Sequence, residues 1–243
     1  RHVADRSVKT NCWGCQGNNP IAPGIWIKGS AEPVISNSRI EDTESWGIFA
    51  SGNKYNTSLT GNYQINGSSI NSMYMELTSN DPILTSNTFD NGKGPELGAS
   101  ILTENHILDH NVVLSGELLI DVDKTLTINP VIRVFGKNRS ARIVVNGSLM
   151  AEAANDAERI VFTSNNTASP TAGDWGYIRF APGSTGSLQY VTMEYGGDDN
   201  ALNPSADQYS AGLFIESSPT IDHLFLRHVA DRSVKTNCWG CQG

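Results

Sequence analysis

The chain has 243 residues, of which 38% are hydrophobic and 17% charged, with a formal net charge of −8. That hydrophobic share excludes a disordered polyampholyte, and the acid excess excludes a basic face for nucleic acid or for anionic lipid. No apolar run approaches the ~18 residues that a membrane span needs.

In chain order, the first element is RHVADRSVKTNCWGCQG at 1–17. It lacks a basic region followed by an apolar run, so any export signal is expected to lie elsewhere. Cys12 and Cys15 form a CxxC, a spacing shared by zinc half-sites, redox pairs and small-loop disulfides. A structural zinc needs four converging ligands, and no βαβ redox context surrounds this pair. The favoured reading is a local Cys12–Cys15 disulfide, which requires an oxidising compartment; free thiols, a crosslink between strands, or a metal are the alternatives.

From residue 25 onward, short β-rich runs alternate with Gly, Asn, Ser and Pro, and no convincing helical period occurs. Each unit is an apolar run, a turn, then two apolar residues five apart. Ile25–Ile27 precedes Ile35 and Ile40, Ile48–Ala50 precedes Ile65 and Ile70, and Tyr74–Leu77 precedes Leu84 and Phe89. A straight strand puts positions five apart on opposite faces. Both point inward only if the chain bends between them. Pro33, Pro82 and Pro219 stand two residues before the first member of a pair, where a corner tolerates a missing donor.

The stretch 101–164 continues the pattern, and a natural repeat unit is expected to start at about residue 101. His106 and His110 are expected on one strand face, about 13 Å apart and too far for one ion. The segment 150–158 reads as a brief helical turn or a loop. Tyr177–Phe180 then precedes Leu188 and Met193, and Leu213–Ile215 precedes Ile221 and Leu226. Asp198 and Asp199 lie in a polar insertion whose loop carboxylates suit Ca²⁺ at most; otherwise no cofactor, metal or catalytic set is expected. Trp26, Phe49, Trp175, Phe180 and Phe214 are expected as stacked core rather than a sugar platform. Five sequons, at Asn56, Asn66, Asn138, Asn146 and Asn165, are candidate glycosylation sites.

The succession LTINPVIRVF, RIVFTS, DWGYIRF and SLQYVTMEYGG resembles the pectate-lyase-like right-handed parallel β-helix repeats of bacterial and archaeal surface proteins. The resemblance covers most of the chain when read circularly from about 101. It implies an all-β solenoid, and that fold hosts lyases, hydrolases, adhesins and passive stalks alike. Thr220-Ile221-Asp222-His223 is similar to the W-I-D-H stretch of pectate lyases, whose Asp is close to a calcium ligand. The Trp is missing here, and a solvated bend is the expected reading of Asp222 and His223. Polygalacturonase signatures (N-T-D, G-H-G, R-I-K) are absent, as are nucleophile-elbow, zincin and phosphate-loop motifs.

The last element decides the organisation. Residues 227–243 repeat residues 1–17 at all 17 positions, at an offset of 226, and carry a second pair, Cys238 and Cys241. A natural tandem array, an engineered overlap and a sequence wrapped around a periodic density all account for this, and the array is favoured. About seven coils at ~4.8 Å would put the copies on the order of 35 Å apart. The expectation is a single β-helix segment over 1–243. It would be structural rather than catalytic, extracellular or on the cell surface, and stacked head-to-tail on itself. The alternative is a β-helix that binds or degrades polysaccharide.

Overall fold

The computed structural model describes residues 8–9, 23–29, 31, 33–43, 46–51, 58–60, 64–67, 72–76, 83–85, 88–89, 92–197, 211–230 and 232–236. Cys12, Cys15, Cys238, Cys241, Asn56, Ile70, Pro82, Asp198 and Asp199 lie outside them. The chain divides into two compact units, Arg1–Gly98 and Ala99–Gly243. In both, the chain is a right-handed parallel β-helix whose short strands pair in register from one coil to the next.

In the first unit, Val8–Lys9, Ile25–Lys28, Ile48–Ser51, Met73–Met75 and Glu96–Leu97 follow one another in one parallel ladder. Two three-stranded ladders complete the coils. Val34–Ser36, Ser58–Thr60 and Ile83–Thr85 form one, and Ile40–Thr43, Gln64–Gly67 and Thr88–Phe89 form the other. The apolar pairs five apart land in these two ladders as columns. Ile35, Leu59 and Leu84 align in one, and Ile40, Ile65 and Phe89 in the other. Pro33 stands at the corner that opens Val34–Ser36.

The second unit repeats the scheme with longer columns. Val112, Val134, Phe162, Met193 and Leu226 align in one ladder. Leu108, Ile128, Ala151, Leu188 and Ile221 align in the second. Leu118, Ile143, Ile178, Leu213 and Val234 align in the third. Phe162, Phe180, Leu188 and Met193 are at most 1% exposed. Removing such side chains from water supplies roughly 1.5–3 kcal/mol each. Ile221 is 38% exposed, because its strand, Thr220–Asp222, ends that five-stranded ladder.

Two local expectations need correction. Ser148–Glu152 is a strand, and only Asp156–Glu158 forms a 3₁₀ turn, capped where Asn155 accepts from the Ala157 N–H at 3.0 Å. Tertiary pairing of Ser148–Glu152 with Thr125–Ile128 overrides the helix-forming composition there. His106 and His110 do not share a strand. The strand ends at Leu108, and His110 lies beyond it with its Nδ1 2.6 Å from Asp109. No helix among the described residues is long and apolar enough to cross a membrane.

Candidate functional site: the seat of the repeated segment

The face opposite the apolar columns carries the polar chemistry. In the second unit, Val113, Phe135, Thr163, Glu194 and Arg227 form the column beside the inward one. Glu194 is only 7% exposed, and both its oxygens are engaged. Thr163 Oγ1 donates to Oε1 at 2.9 Å, and Arg227 Nε donates to Oε2 at 2.6 Å. A buried carboxylate requires such partners, and charge-assisted bonds are the strong kind. Comparable ties join neighbouring coils at Arg142–Glu117 and Arg179–Glu216, both with Nε–Oε2 separations of 2.7 Å.

Around Glu194 the chain makes two left-handed corners. Tyr190 (φ 50°) stacks on His223 (φ 51°) with ring centroids 4.2 Å apart. Tyr195 (φ 64°) stacks on His228 (φ 52°) at 5.2 Å and an interplanar angle of 7°. Bulky residues adopt this backbone region at a cost of about 1–3 kcal/mol, which the ring contacts offset. Asp222 and His223 therefore belong to a corner, with His223 Nδ1 2.9 Å from Asp222. The Arg159 guanidinium spans both coils, donating to the Val191 and His223 carbonyls at 3.0 and 2.9 Å.

Beyond Tyr195, small residues admit the next coil. The Ala230 N–H donates to Gly196 O at 2.9 Å. A Cβ on Gly212 would fall 2.8 Å from Val229 Cγ1, and one on Gly197 would fall 2.6 Å from Ala230 O. Arg232–Thr236 then pairs in parallel with Ala211–Ile215, aligning Leu213 with Val234 and Phe214 with Lys235. Arg227, His228, Val229, Ala230, Val234 and Lys235 all belong to the segment that duplicates residues 1–17. The second unit thus holds a built seat for RHVADRSVK: a carboxylate for the Arg, a ring for the His, glycine space for the Val, and a strand edge. Sequence reasoning missed Glu194, Thr163, Tyr195 and the glycines. The repeat marked the segment itself, but nothing in it indicated which residues of the preceding coil receive it.

The loop 165–176 covers this column. Thr171 Oγ1 and Ser164 Oγ each donate to Asp174, both at 2.5 Å, and the Thr171 N–H adds a bond of 3.0 Å. The loop delivers Trp175, which is 2% exposed and donates from Nε1 to Glu194 O at 2.8 Å. Gly136 and Gly196 leave it room. Burial raises the Asp174 pKa, but the hydrogen bonds from Ser164 and Thr171 outweigh it and hold the carboxyl below its ordinary range. A depressed folded-state pKa gives stability that is present above the unfolded value and lost as pH falls through the folded one. Acidification below the ordinary aspartate range is therefore expected to release the loop and Trp175, read as a change in tryptophan emission. Asp174→Asn should remove that acid step and weaken the loop at neutral pH.

In the first unit, the corresponding face holds aromatic rings. Trp26 aligns with Phe49, Phe49 with Tyr74, and Tyr74 with Glu96. Phe49 and Tyr74 stack at 4.6 Å and 10°, and Trp46 and Trp26 pack on Phe49 at 5.0 and 5.8 Å. Trp46 Nε1 donates to Glu96 at 3.4 Å. Burial, then Glu76 and Glu96, push the Tyr74 hydroxyl above its usual pKa. Phe180 alone among the five aromatics expected as core occupies an inward column. Trp26, Phe214 and Trp175 are also buried, yet Trp26 and Phe214 stand on the opposite face and Trp175 comes from a covering loop.

The sequons are dispersed. Asn66 lies in the strand Gln64–Gly67. Asn138 is exposed at a turn, its Oδ1 accepting from Ser140 N at 2.8 Å, while Asn146 and Asn165 are half-buried corner residues. Two asparagines outside the sequons tie successive coils. Asn105 accepts from Thr125 N at 2.9 Å and Asn111 from Arg133 N at 2.7 Å. Among the described residues, no group of three or more His, Cys, Asp or Glu is placed to hold a metal ion.

No curated protein and no solved structure matches the chain. The family model of the right-handed β-helix region matches residues 5–130, just over half of the chain. Family match and parallel ladders agree, and the chain belongs to the right-handed β-helix family.

Proposed function

We propose that this chain is a structural, non-catalytic repeat of an extracellular or cell-surface β-helix protein, and that its work is to build a stiff stalk or filament able to present adhesive surface. The observation that carries this reading is the 17-residue duplicate. One copy contributes a strand to a ladder in the first unit and the other to a ladder in the second. The cross-coil carboxylates support it too, since Glu117, Glu194 and Glu216 are each spent on an arginine of a neighbouring coil. Stacked coils interact only with their neighbours, so length can be added without redesigning the core. Disulfides at Cys12–Cys15 and Cys238–Cys241 and glycans on exposed sequons suit that setting.

Electron microscopy of the native material is the test. Rods with ~4.8 Å coil spacing along their axis are expected. Discrete globular particles would overturn the reading. Peptide mapping without reduction should find both CWGC loops oxidised and metal-free.

A second reading, polysaccharide binding, has only the half-buried edges of Phe49 and Tyr74 to rest on, because Trp26 and Glu96 in the same ladder are buried. Binding of acidic or neutral glycans that is lost in Phe49→Ala would support it, and silence across a glycan panel would remove it.

A further inference from the structure

Three complete sequons lie among the described residues, all at corners of the second unit, and their surroundings differ. Asn138-Arg139-Ser140 turns the corner between Arg133–Gly136 and Arg142–Val145, and all three residues are exposed. A β-turn closes that corner, with the Ala141 N–H donating to Asn138 O at 2.9 Å. Inside it the Ser140 N–H donates to Asn138 Oδ1 at 2.8 Å, an Asx-turn. Asn138 Nδ2 donates to Ser115 O of the preceding corner at 3.2 Å. The carboxamide is thus held at the surface in one conformation, with Ser140 on the same turn.

The other two are closed off by the fold. Asn146, Gly147 and Ser148 are all half-buried. The Asn146 and Gly147 N–H groups donate to Ile120 O at 2.9 and 3.3 Å, and the Ser148 N–H donates to Lys124 O at 2.8 Å. The Ser148 hydroxyl is turned to Met150 Sδ at 3.6 Å. This sequon cannot leave the stack without breaking those bonds. Asn165-Asn166-Thr167 is folded onto its own loop. Asn165 is half-buried, its N–H donates to Gly136 O at 2.8 Å, and the Thr167 N–H goes to the Asn165 backbone carbonyl at 3.0 Å. Asn166 closes on Ser169 in both directions, donating to its carbonyl at 2.7 Å and accepting from its N–H at 3.3 Å.

We propose that Asn138 is a site of N-glycosylation, the one of these three sequons that the folded chain presents to a transferase. The donor is a lipid-linked glycosyl diphosphate. Asn138 Nδ2 forms a bond to the anomeric carbon, and the bond from that carbon to the phosphate oxygen breaks. The lipid diphosphate leaves with the electron pair, and the Nδ2 proton passes to a base of the transferase. A carboxamide carries two N–H groups, so transfer replaces one and the other keeps the tie to Ser115. Oδ1 still accepts from Ser140. The sugar then projects from a corner, clear of the parallel ladders through which the coils stack. The inference rests on the extracellular reading above and names the position at which that surface carries carbohydrate.

The test is transfer to the folded full chain by a purified single-subunit oligosaccharyltransferase with its polyprenyl-diphosphate glycan. Peptide mapping with fragmentation locates the sugar. Glycan is expected at Asn138 and not at Asn146 or Asn165. Short peptides spanning each of the three sequons should all be modified, since only the fold separates them. Ser140→Ala retains the backbone N–H that closes the Asx-turn and leaves the Ser115 tie in place. Its circular dichroism should be unchanged, and its glycan at Asn138 should be lost. Ser140→Thr should restore the glycan. A folded chain left bare at Asn138 while its peptide is modified would overturn the proposal, as would transfer to Asn146 or Asn165 in the folded chain, or undiminished transfer to Ser140→Ala. Microscopy of the native material separates this inference from the stalk reading. Rods bare at Asn138 would remove the glycan site alone, and globular particles that carry it would remove the stalk alone.

Discussion

Replacing Gly147 by alanine is expected to remove about 3 kcal/mol or more of the second unit's stability, the range of severe overpacking. Gly147 turns the corner between Arg142–Val145 and Ser148–Glu152, and the corner of the preceding coil lies directly against it. A Cβ there would stand 2.2 Å from Lys124 O and 2.3 Å from Asp121 O. Both obstacles are backbone. They can retreat only by breaking Ser148 N to Lys124 O at 2.8 Å, which stacks the two corners, and Lys124 N to Asp121 O at 3.1 Å, which closes the preceding turn. Thermal unfolding should fall by roughly 10 °C for a unit of this size. Gly183 provides the control. Its φ of +83° disfavours a side chain, but nothing lies within 4 Å of a Cβ there. Gly183→Ala should cost about 1 kcal/mol, from backbone conformation alone. Equal losses at the two positions would show that corner stacking is not what Gly147 protects.

Truncating Phe162 to alanine should cost about 3–5 kcal/mol, the usual range for a large aromatic in a core that cannot collapse. Phe162 is 1% exposed, and its column neighbours are Val134 and Met193, held by ladders on both sides. Denaturant titration gives the magnitude. Hydrogen exchange gives the location, because coils of a solenoid feel mainly their neighbours. Protection should fall in Arg133–Gly136 and Val191–Glu194 and hold in Ser100–Leu102. Ile221→Ala, at a position already 38% exposed, should cost under about 1 kcal/mol. A uniform loss of protection through the whole unit would contradict the one-dimensional picture.

The five-residue pairs were legible because they are a local property. Leu188 with Met193, and Ile221 with Leu226, needed only apolar type and a bend between them, and each member joins its own column. The parallel β-helix followed from that pattern and from the wording of the strands. The duplicate at 1–17 and 227–243 needed no structure either. The brief turn near residue 155 and the strand limits at His106 were poorly read, since pairing with a neighbouring coil decides where such short strands start and stop.

The composition, the strand pattern and the repeat were settled by the sequence alone: an acidic, strand-built solenoid of the β-helix family with an identical segment used twice. Tertiary structure alone decided which side chains meet across coils. Glu194 reaches Thr163, 31 residues earlier, and Arg227, 33 residues later. Those spans are set by the insertions in each coil, such as 165–176, and no periodicity predicts them. The same holds for the opposite face. Alternation along a strand tells that Trp26 and Glu194 point away from the apolar columns, yet both are buried because other parts of the chain cover them. Local pattern reports the direction in which a side chain leaves the backbone. What it meets there depends on coil length, and coil length is a sum over loops that the pattern does not constrain.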